Sequence, residues 1–400
     1  MPKPLTDRFL GLKPSATVEM TERVRNARAA GRKIIGLSSG DPNIDTDPRI
    51  IAAAERAMRQ GDTRYGPPAG LAALREAIVA REARRSGVGY DPADVIVTPG
   101  GKFALLTALM AVAQGGDEVL VPEPGWVSYG PCVQLAGGTP IGISMLDRID
   151  EAALARVVSE RSKAIIVNSP VNPTGRVFSA EEIACVHAFA QRHDLWILFD
   201  QVYSDLLYAG EFATPARLPG GRERVIVIDS LSKTFGMTGW RLGYLVLPPG
   251  LAKTVLKFIQ HSIYCVPNFV QLAGITALSL ADELVPAYRA MFRRRLATAA
   301  ERLSAVAGIR CAMPPGAFYV FPNVTGLPAS AHELADLLLD RHGVAVLAGT
   351  CFGECGEGFL RLSYANSLEN LKKAAELMRA AASDLFRQGP GGGGRGPGNA

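Results

Sequence analysis

The chemistry in this sequence begins with a lysine in a polar loop, Lys233 of Asp229-Ser230-Leu231-Ser232-Lys233-Thr234-Phe235-Gly236-Met237-Thr238-Gly239-Trp240-Arg241. A β-branched run ends at Asp229. Open α/β sheets bind ligands beyond the C-terminal ends of their strands. A primary amine placed there can form an imine with an aldehyde cofactor. Ser230 and Ser232 offer hydroxyl donors, and Arg241, eight residues past the lysine, offers a fixed cation. A phosphate would use all three. A loop lysine taken alone is more often simply solvated, so the reading depends on what accompanies it.

Five other stretches supply that company. Asp200, in Leu198-Phe199-Asp200-Gln201-Val202-Tyr203, sits just past an apolar strand, where a carboxylate is costly unless paired. A pyridinium N–H is a suitable partner, because the carboxylate would keep the ring nitrogen protonated and electron-accepting. Tyr203 could donate to a ring phenolate oxygen; a strand-end Asp capping the next helix is the plain alternative. In Asn168-Ser169-Pro170-Val171-Asn172-Pro173-Thr174-Gly175, two X-Pro steps make a rigid turn that could aim the Asn172 amide at a ligand. Gly100, Gly101 and Lys102 open a helix after the Val95–Val97 run, where bare backbone N–H groups and the helix dipole suit a phosphate. The spacing is not that of a Walker A loop. Trp126, with Tyr129 nearby, could stack on a flat ring or simply pack in the core. Arg361, inside the apolar Phe359-Leu360-Arg361-Leu362-Ser363-Tyr364, is a half-buried cation with a fork suited to a carboxylate; a structural ion pair would also explain it.

Elements must hold these residues in place. A helix is expected over 15–30, with Ser15 as possible N-cap, followed by the run Ile34-Ile35-Gly36-Leu37. From there to about residue 250, helical patterns (69–86, 101–114, 179–192) alternate with short runs at 95–97, 119–121, 164–167, 196–199, 225–228 and 244–247. The runs are apolar throughout and do not alternate, as in strands of a parallel sheet buried on both faces. Beyond 250 the pattern predicts long helices at 251–280 and 283–307. Short strands near 317–321, 344–347 and 359–363 and helices at 331–342 and 367–386 follow. This is a smaller α+β unit, completed by the N-terminal segment. The expected division is 1–45 joining the small domain, 46–285 large, 286–387 small, and 388–400 a Gly/Pro-rich disordered tail.

Composition sets the outer bounds. The chain has 400 residues, 48% hydrophobic, enough for a sizeable core in two or three domains. A net charge of +5, from 43 basic and 38 interspersed acidic residues, is no nucleic-acid footprint. Of six cysteines, five lie in or beside apolar segments, as buried free thiols do. Cys351 and Cys355 lack companions at zinc spacing, so no metal is expected. No apolar stretch reaches a membrane-spanning length, and Met1–Pro14 has no apolar signal core. The expected setting is the cytoplasm.

Taken in order, these stretches resemble the class I/II aminotransferases of pyridoxal-phosphate (PLP) fold type I, from Gly11-Leu12-Lys13-Pro14-Ser15-Ala16-Thr17 to about Phe386. The similarity leans to the bacterial aspartate and aspartate/prephenate branch. Ser39-Gly40-Asp41-Pro42, Tyr65-Gly66-Pro67-Pro68-Ala69-Gly70, Asn172-Pro173-Thr174-Gly175, Ser232-Lys233 through Arg241, Gly316-Ala317-Phe318-Tyr319 and Arg361-Leu362-Ser363-Tyr364 carry it. The resemblance implies a large domain with a mainly parallel seven-stranded sheet sandwiched by helices, plus a smaller α+β domain. It implies Lys233 as imine lysine and proton-transfer base, Asp200 on the pyridine nitrogen, and Tyr203 and Asn172 on the ring oxygen. Gly100, Gly101, Lys102, Ser230, Ser232 and Arg241 would surround the phosphate, and Trp126 would cover the ring. Arg361, Asn172 and the Gly40 backbone would hold the substrate α-carboxylate. Tyr65 would reach the phosphate of a neighbouring subunit, making a homodimer with shared sites. Gln201 stands where the family often has Glu, and Val171 where a polar residue is common.

The implied activity is ping-pong transamination between an L-amino acid and a 2-oxo acid. An acidic donor with 2-oxoglutarate is favoured, since Lys102 and Thr17 stand where that branch reads a distal carboxylate. Aromatic, basic or small amino acids are the alternatives, as is a PLP-dependent β-lyase acting on cysteine conjugates. The ligand-sensing domain of a regulator is the non-enzymatic reading. It would need a fused helix-turn-helix, for which no room is expected before residue 15 or after 386.

Overall fold

The computed structural model describes residues 5–388. Its strands, in chain order, are β1 (Ile35–Gly36), β2 (Val95–Thr98), β3 (Glu118–Glu123), β4 (Thr139–Ser144), β5 (Ser162–Asn168), β6 (Trp196–Asp200), β7 (Val225–Ser230), β8 (Gly243–Val246), β9 (Tyr319–Val320), β10 (Val344–Ala345), β11 (Leu347–Ala348) and β12 (Leu360–Ser363). Seven of them form one sheet in the order β2-β8-β7-β6-β5-β3-β4. All run parallel except β8, which is antiparallel to both neighbours.

Side-chain alternation explains the unbroken apolar runs. Val95, Val97, Ile165, Val167, Ile197, Phe199, Val225 and Val227 point into one core. Ile96, Ala164, Ile166, Leu198, Ile226 and Ile228 point into the core on the opposite face. Helices cover both faces, so each successive residue meets protein and neither side can be polar. Truncating a side chain such as the buried Phe199 would cost about 3–5 kcal/mol.

The second unit is built on a three-stranded sheet, β11-β12-β9, and on the helices Ala281–Ser304, Ala331–Asp340 and Leu368–Gln388. The helix Ala281–Ser304 serves both units: Ala281, Leu284 and Val285 pack in the first core, and Phe292, Leu296 and Ala299 in the core beneath the small sheet. Met20, Val24 and Ile34 of the N-terminal segment pack against Leu339, Ala345 and Leu347.

Several expectations need correction. The helix expected over 251–280 is two, Ala252–Ser262 and Asn268–Ser279. Tyr264 breaks it with φ of 66°, and Pro267, which has no N–H, caps the second piece. The run 34–37, which carried no sheet assignment, pairs through β1 with β10. Additional elements are the edge strand β4, disguised by Pro140 and Gly142, the short helices Asp7–Leu10, Tyr129–Leu135 and Glu151–Ala155, and the helix Pro48–Arg59. That helix carries a legible start, Asp47 capping the Arg49 N–H at 2.8 Å and Pro at the first position. Ser15 precedes its helix but makes no cap bond; its hydroxyl lies 2.9 Å from Thr17 Oγ1. Of the six thiols only Cys132 is buried; the other five are half-buried. The tail expected to be disordered lies, from residue 389 on, outside the described residues.

Candidate active site

Strands β2, β3, β5, β6 and β7 all point their C-terminal ends at one cleft, and the loops after them deliver the polar side chains. Thr17, Gly40, Gly101, Lys102, Trp126, Asn172, Asp200, Tyr203, Ser230, Ser232, Lys233, Arg241 and Arg361 all line it. Gly100 adjoins the cleft behind Arg241. Tyr65 does not enter it: it is 84% exposed and packs edge-on against Tyr264 at 4.9 Å.

Lys233 follows β7 and extends its amine to the Gly40 carbonyl at 2.8 Å. Burial lowers its pKa to about 8, and the cations Arg241 and Arg361 add to this against the pull of Asp41 and Asp200. A fraction of the amine is therefore neutral, and nucleophilic, near neutral pH. Asp200 ends β6 with the opposite perturbation. Burial raises its pKa to about 6, against the hydrogen bonds from the Tyr129 hydroxyl and the Val202 N–H. A cationic ring nitrogen beside it would bring it back down.

A cradle of bare backbone lies at the start of the helix Gly101–Val112. Gly100 has φ of 85°, and a Cβ there would lie 2.5 Å from Arg241 Nη2. A Cβ on Gly243 would lie 2.5 Å from the Gly100 carbonyl carbon. Side chains are thus excluded where the backbone, the helix N-terminus, Arg241, Ser230 and Ser232 converge. That donor set and its bare backbone fit a phosphate.

Arg361 of β12 is not half-buried but only 1% exposed. Its Nη1 donates to Asn172 Oδ1 at 3.2 Å and its Nη2 to the Ser38 carbonyl. Its guanidinium lies 4.7 Å from the ring centres of both Tyr319 and Phe352. No carboxylate pairs with it among the described residues, and its buried Nε has no partner. A buried guanidinium without an anion is a site for one. Lys102 Nζ lies 5.4 Å from the Trp126 ring centre.

Three participants have no role in the sequence reading. Tyr129 donates to Asp200 Oδ2 at 2.7 Å. Tyr319 holds its hydroxyl 2.9 Å from that of Tyr203. Asn168 donates to the Asp200 carbonyl at 3.0 Å and accepts the Asn172 N–H at 2.9 Å, locking two loops together. All three stand within or beside quoted stretches; only the pairing was invisible.

Comparison with known proteins identifies the family. The family model described as aminotransferase class I and II matches residues 32–377. The aspartate aminotransferase of Geobacillus stearothermophilus is 38% identical, covering 93% of this chain and 97% of that protein. The aspartate/prephenate aminotransferase of Thermus thermophilus is 37% identical with the same coverage. The structure of Thermus thermophilus aspartate aminotransferase with maleate superimposes with a TM-score of 0.90 at 36% identity, covering 95% of this chain and all of that one. An aromatic aminotransferase from Pyrococcus horikoshii gives 0.85 at 34%, covering 91% and 99%.

Proposed function

From the premise that the chain belongs to the class I and II aminotransferases, we propose that it binds pyridoxal phosphate through Lys233 and moves an amino group from an acidic L-amino acid to a 2-oxo acid such as 2-oxoglutarate. The observation that carries this is the placing of the Lys233 amine in one cleft with buried Asp200, the Gly100–Gly101 cradle and the unpaired cation Arg361.

When bound, the cofactor supplies an aldehyde for amine capture and a ring that accepts the electrons left on the substrate Cα. Gly101, Lys102, Ser230, Ser232 and Arg241 would hold its phosphate, Asp200 its ring nitrogen, Tyr203 and Asn172 its ring oxygen, and Trp126 its face. Arg361 takes the substrate α-carboxylate in its fork, beside Asn172 and the backbone at Gly40. This orients Cα–H toward the Lys233 amine. Lys233, as a base whose lowered pKa suits neutral pH, would move the proton of the substrate Cα, the cofactor supplying its acceptor. Donor and acceptor use the same groups in turn, a ping-pong sequence.

Lys102 and Thr17 line the cleft and supply a cation and a hydroxyl for a second, distal carboxylate. The named substrates of the aspartate relatives are in keeping with that charge. Tyr65, pointing away from its own cleft, serves the partner subunit's phosphate site in a homodimer. The division at 45 and 285 is the domain arrangement we assign.

Borohydride treatment after loading with pyridoxal phosphate should attach the cofactor mass to the peptide carrying Lys233. A Lys233→Ala protein turning over at the native rate overturns the reading. Rates with aspartate, phenylalanine, arginine and alanine test the substrate; inert aspartate removes the acidic choice.

A further inference from the structure

A second buried cluster lies behind the cleft, between the helix Ala72–Ser86 and strands β7 and β8. Glu82 is 1% exposed and Asp229 4%. One cation serves both: Arg85 donates through Nη2 to Asp229 Oδ2 at 2.7 Å and to Glu82 Oε1. Gln201 Nε2 lies 3.0 and 2.9 Å from the two carboxyl oxygens of Glu82 and 3.4 Å from Asp229 Oδ2. The Tyr244 hydroxyl lies 2.7 Å from Glu82 Oε1 and 3.0 Å from Asp229 Oδ2.

A phenol has a single hydrogen to give. With both acids ionised, one of the two Tyr244 contacts would set lone pair against lone pair. One guanidinium would also face two buried anions. A proton on Asp229 removes both conflicts: Asp229 donates to the Tyr244 oxygen, and Tyr244 donates to Glu82. Glu82, already accepting from Arg85 and Gln201, is the better place for the remaining charge.

We propose that Glu82 and Asp229 hold one proton between them across Tyr244, with Gln201 as the neutral donor that completes the pair, and that this cluster, net neutral with Arg85, positions the cofactor site. The other charged or titratable groups around it are already matched. Arg81 pairs with Asp205, which also accepts from Thr234 at 2.7 Å, and Arg289 donates to the Asp205 carbonyl. Arg222 lies 4.3 Å from the Tyr90 ring centre. Burial, joined by the Glu82 charge and opposed by Arg85, raises the Asp229 pKa.

The consequence falls on both sides of the cluster. Asp229 directly precedes Ser230 of the phosphate cradle, and its charge pushes the Asp200 pKa upward. A protonated Asp229 leaves the cradle free of a competing anion and lets Asp200 stay ionised beneath the ring. The positioning role rests on the cofactor assignment above; the shared proton does not.

The test is infrared spectroscopy of the full chain, before and after loading with pyridoxal phosphate. It is run at about pH 5, below the value to which burial raises Asp229, and in the loaded chain Asp200 would be ionised against the ring nitrogen, so the band belongs to the pair. The expected result is a protonated-carboxyl stretch that Asp229→Asn removes and Gln201→Glu doubles, since a third buried carboxyl must bring its own proton. Tyr244→Phe should shift the band without removing it. A wild-type spectrum lacking the band, or a band that both Asp229→Asn and Gln201→Glu leave unchanged, overturns the proposal. Gln201→Glu decides alone if Asp229→Asn does not fold. A chain that shows the band but binds no cofactor refutes the aminotransferase site while sparing the proton; bound cofactor without the band does the reverse.

Discussion

The Tyr129 hydroxyl donates to Asp200 Oδ2 across 2.7 Å, and both side chains are buried. Asp200 is the group assigned to the ring nitrogen, so Tyr129 governs how readily that carboxylate ionises. Its ring also packs edge-on against Trp126, with centres 5.5 Å apart.

Tyr129→Phe keeps the ring and removes the donor. An under-satisfied buried carboxylate should cost about 1–3 kcal/mol of stability. The Asp200 pKa, about 6 in the native chain, should rise, because the lost hydrogen bond was lowering it. A carboxyl raised on folding holds a proton that the unfolded chain has released. Native stability from this group is therefore present at low pH and lost as pH climbs from about 3.8 to about 6. In the variant that loss should extend to higher pH. Denaturant melts of the cofactor-free chain across this range check it, and the acid limb of the kcat profile should move up with it. An unmoved limb would show that Tyr129 does not act through Asp200.

Gly100→Ala should strike the cofactor selectively. The residue combines φ of 85° with a Cβ position 2.5 Å from Arg241 Nη2. An L side chain is strained there by about 1–2 kcal/mol before any clash. The guanidinium must retreat, and it is one of the groups assigned above to the phosphate. We expect cofactor affinity to fall by at least tenfold while kcat at saturating cofactor stays within a few-fold of wild type. Equilibrium titration of cofactor absorbance measures the first and steady-state rates the second.

Much of this architecture was legible because the chemistry sits where regular elements end. The runs at 164–167, 196–199 and 225–228 could be read as doubly buried strands, and Asn168, Asp200 and Ser230 end those strands. β4 was illegible because Pro140 and Gly142 belong to an edge strand with little to bury. The break near Tyr264 did carry a sequence signal, Pro267, which one helix over 251–280 passes over; the left-handed turn at Tyr264 itself has none. The partners Tyr129–Asp200 and Tyr203–Tyr319 lie 71 and 116 residues apart, and only the fold brings them together.

Arg361→Lys should separate binding from chemistry. The guanidinium is held between Tyr319 and Phe352 and fixed by Asn172 and Ser38, so its fork is set in advance. Lysine keeps the charge but loses the bidentate geometry and the stacking. With one charge-assisted hydrogen bond worth about 1.5–3 kcal/mol, KM for the amino acid should rise roughly 10- to 100-fold. Cofactor affinity should not change. Equal losses for the amino acid and for the cofactor would count against a carboxylate role.

Lys233 makes a prediction in the opposite direction from Asp200. Its pKa falls from 10.5 to about 8 on folding, mainly through burial. Between those values the unfolded chain carries a proton that the native chain has lost, so stability rises with pH across this window. Below about pH 8 the native chain bears the full cost of a buried ammonium whose bond to the Gly40 carbonyl repays only part of it. Lys233→Met removes the charge and keeps most of the volume. Without cofactor, the variant should therefore be more stable than wild type at neutral pH, by about 1–3 kcal/mol. The gap should close as pH rises from about 8 toward 10.5. The same titration governs cofactor capture by the wild-type chain, because only the neutral amine attacks an aldehyde. The capture rate should climb about tenfold per pH unit below the lysine pKa and level off above it. Denaturation of the two cofactor-free proteins and stopped-flow loading of the wild type measure the same ionisation independently. Midpoints that disagree by more than about one unit would mean that Lys233 is not the group being titrated.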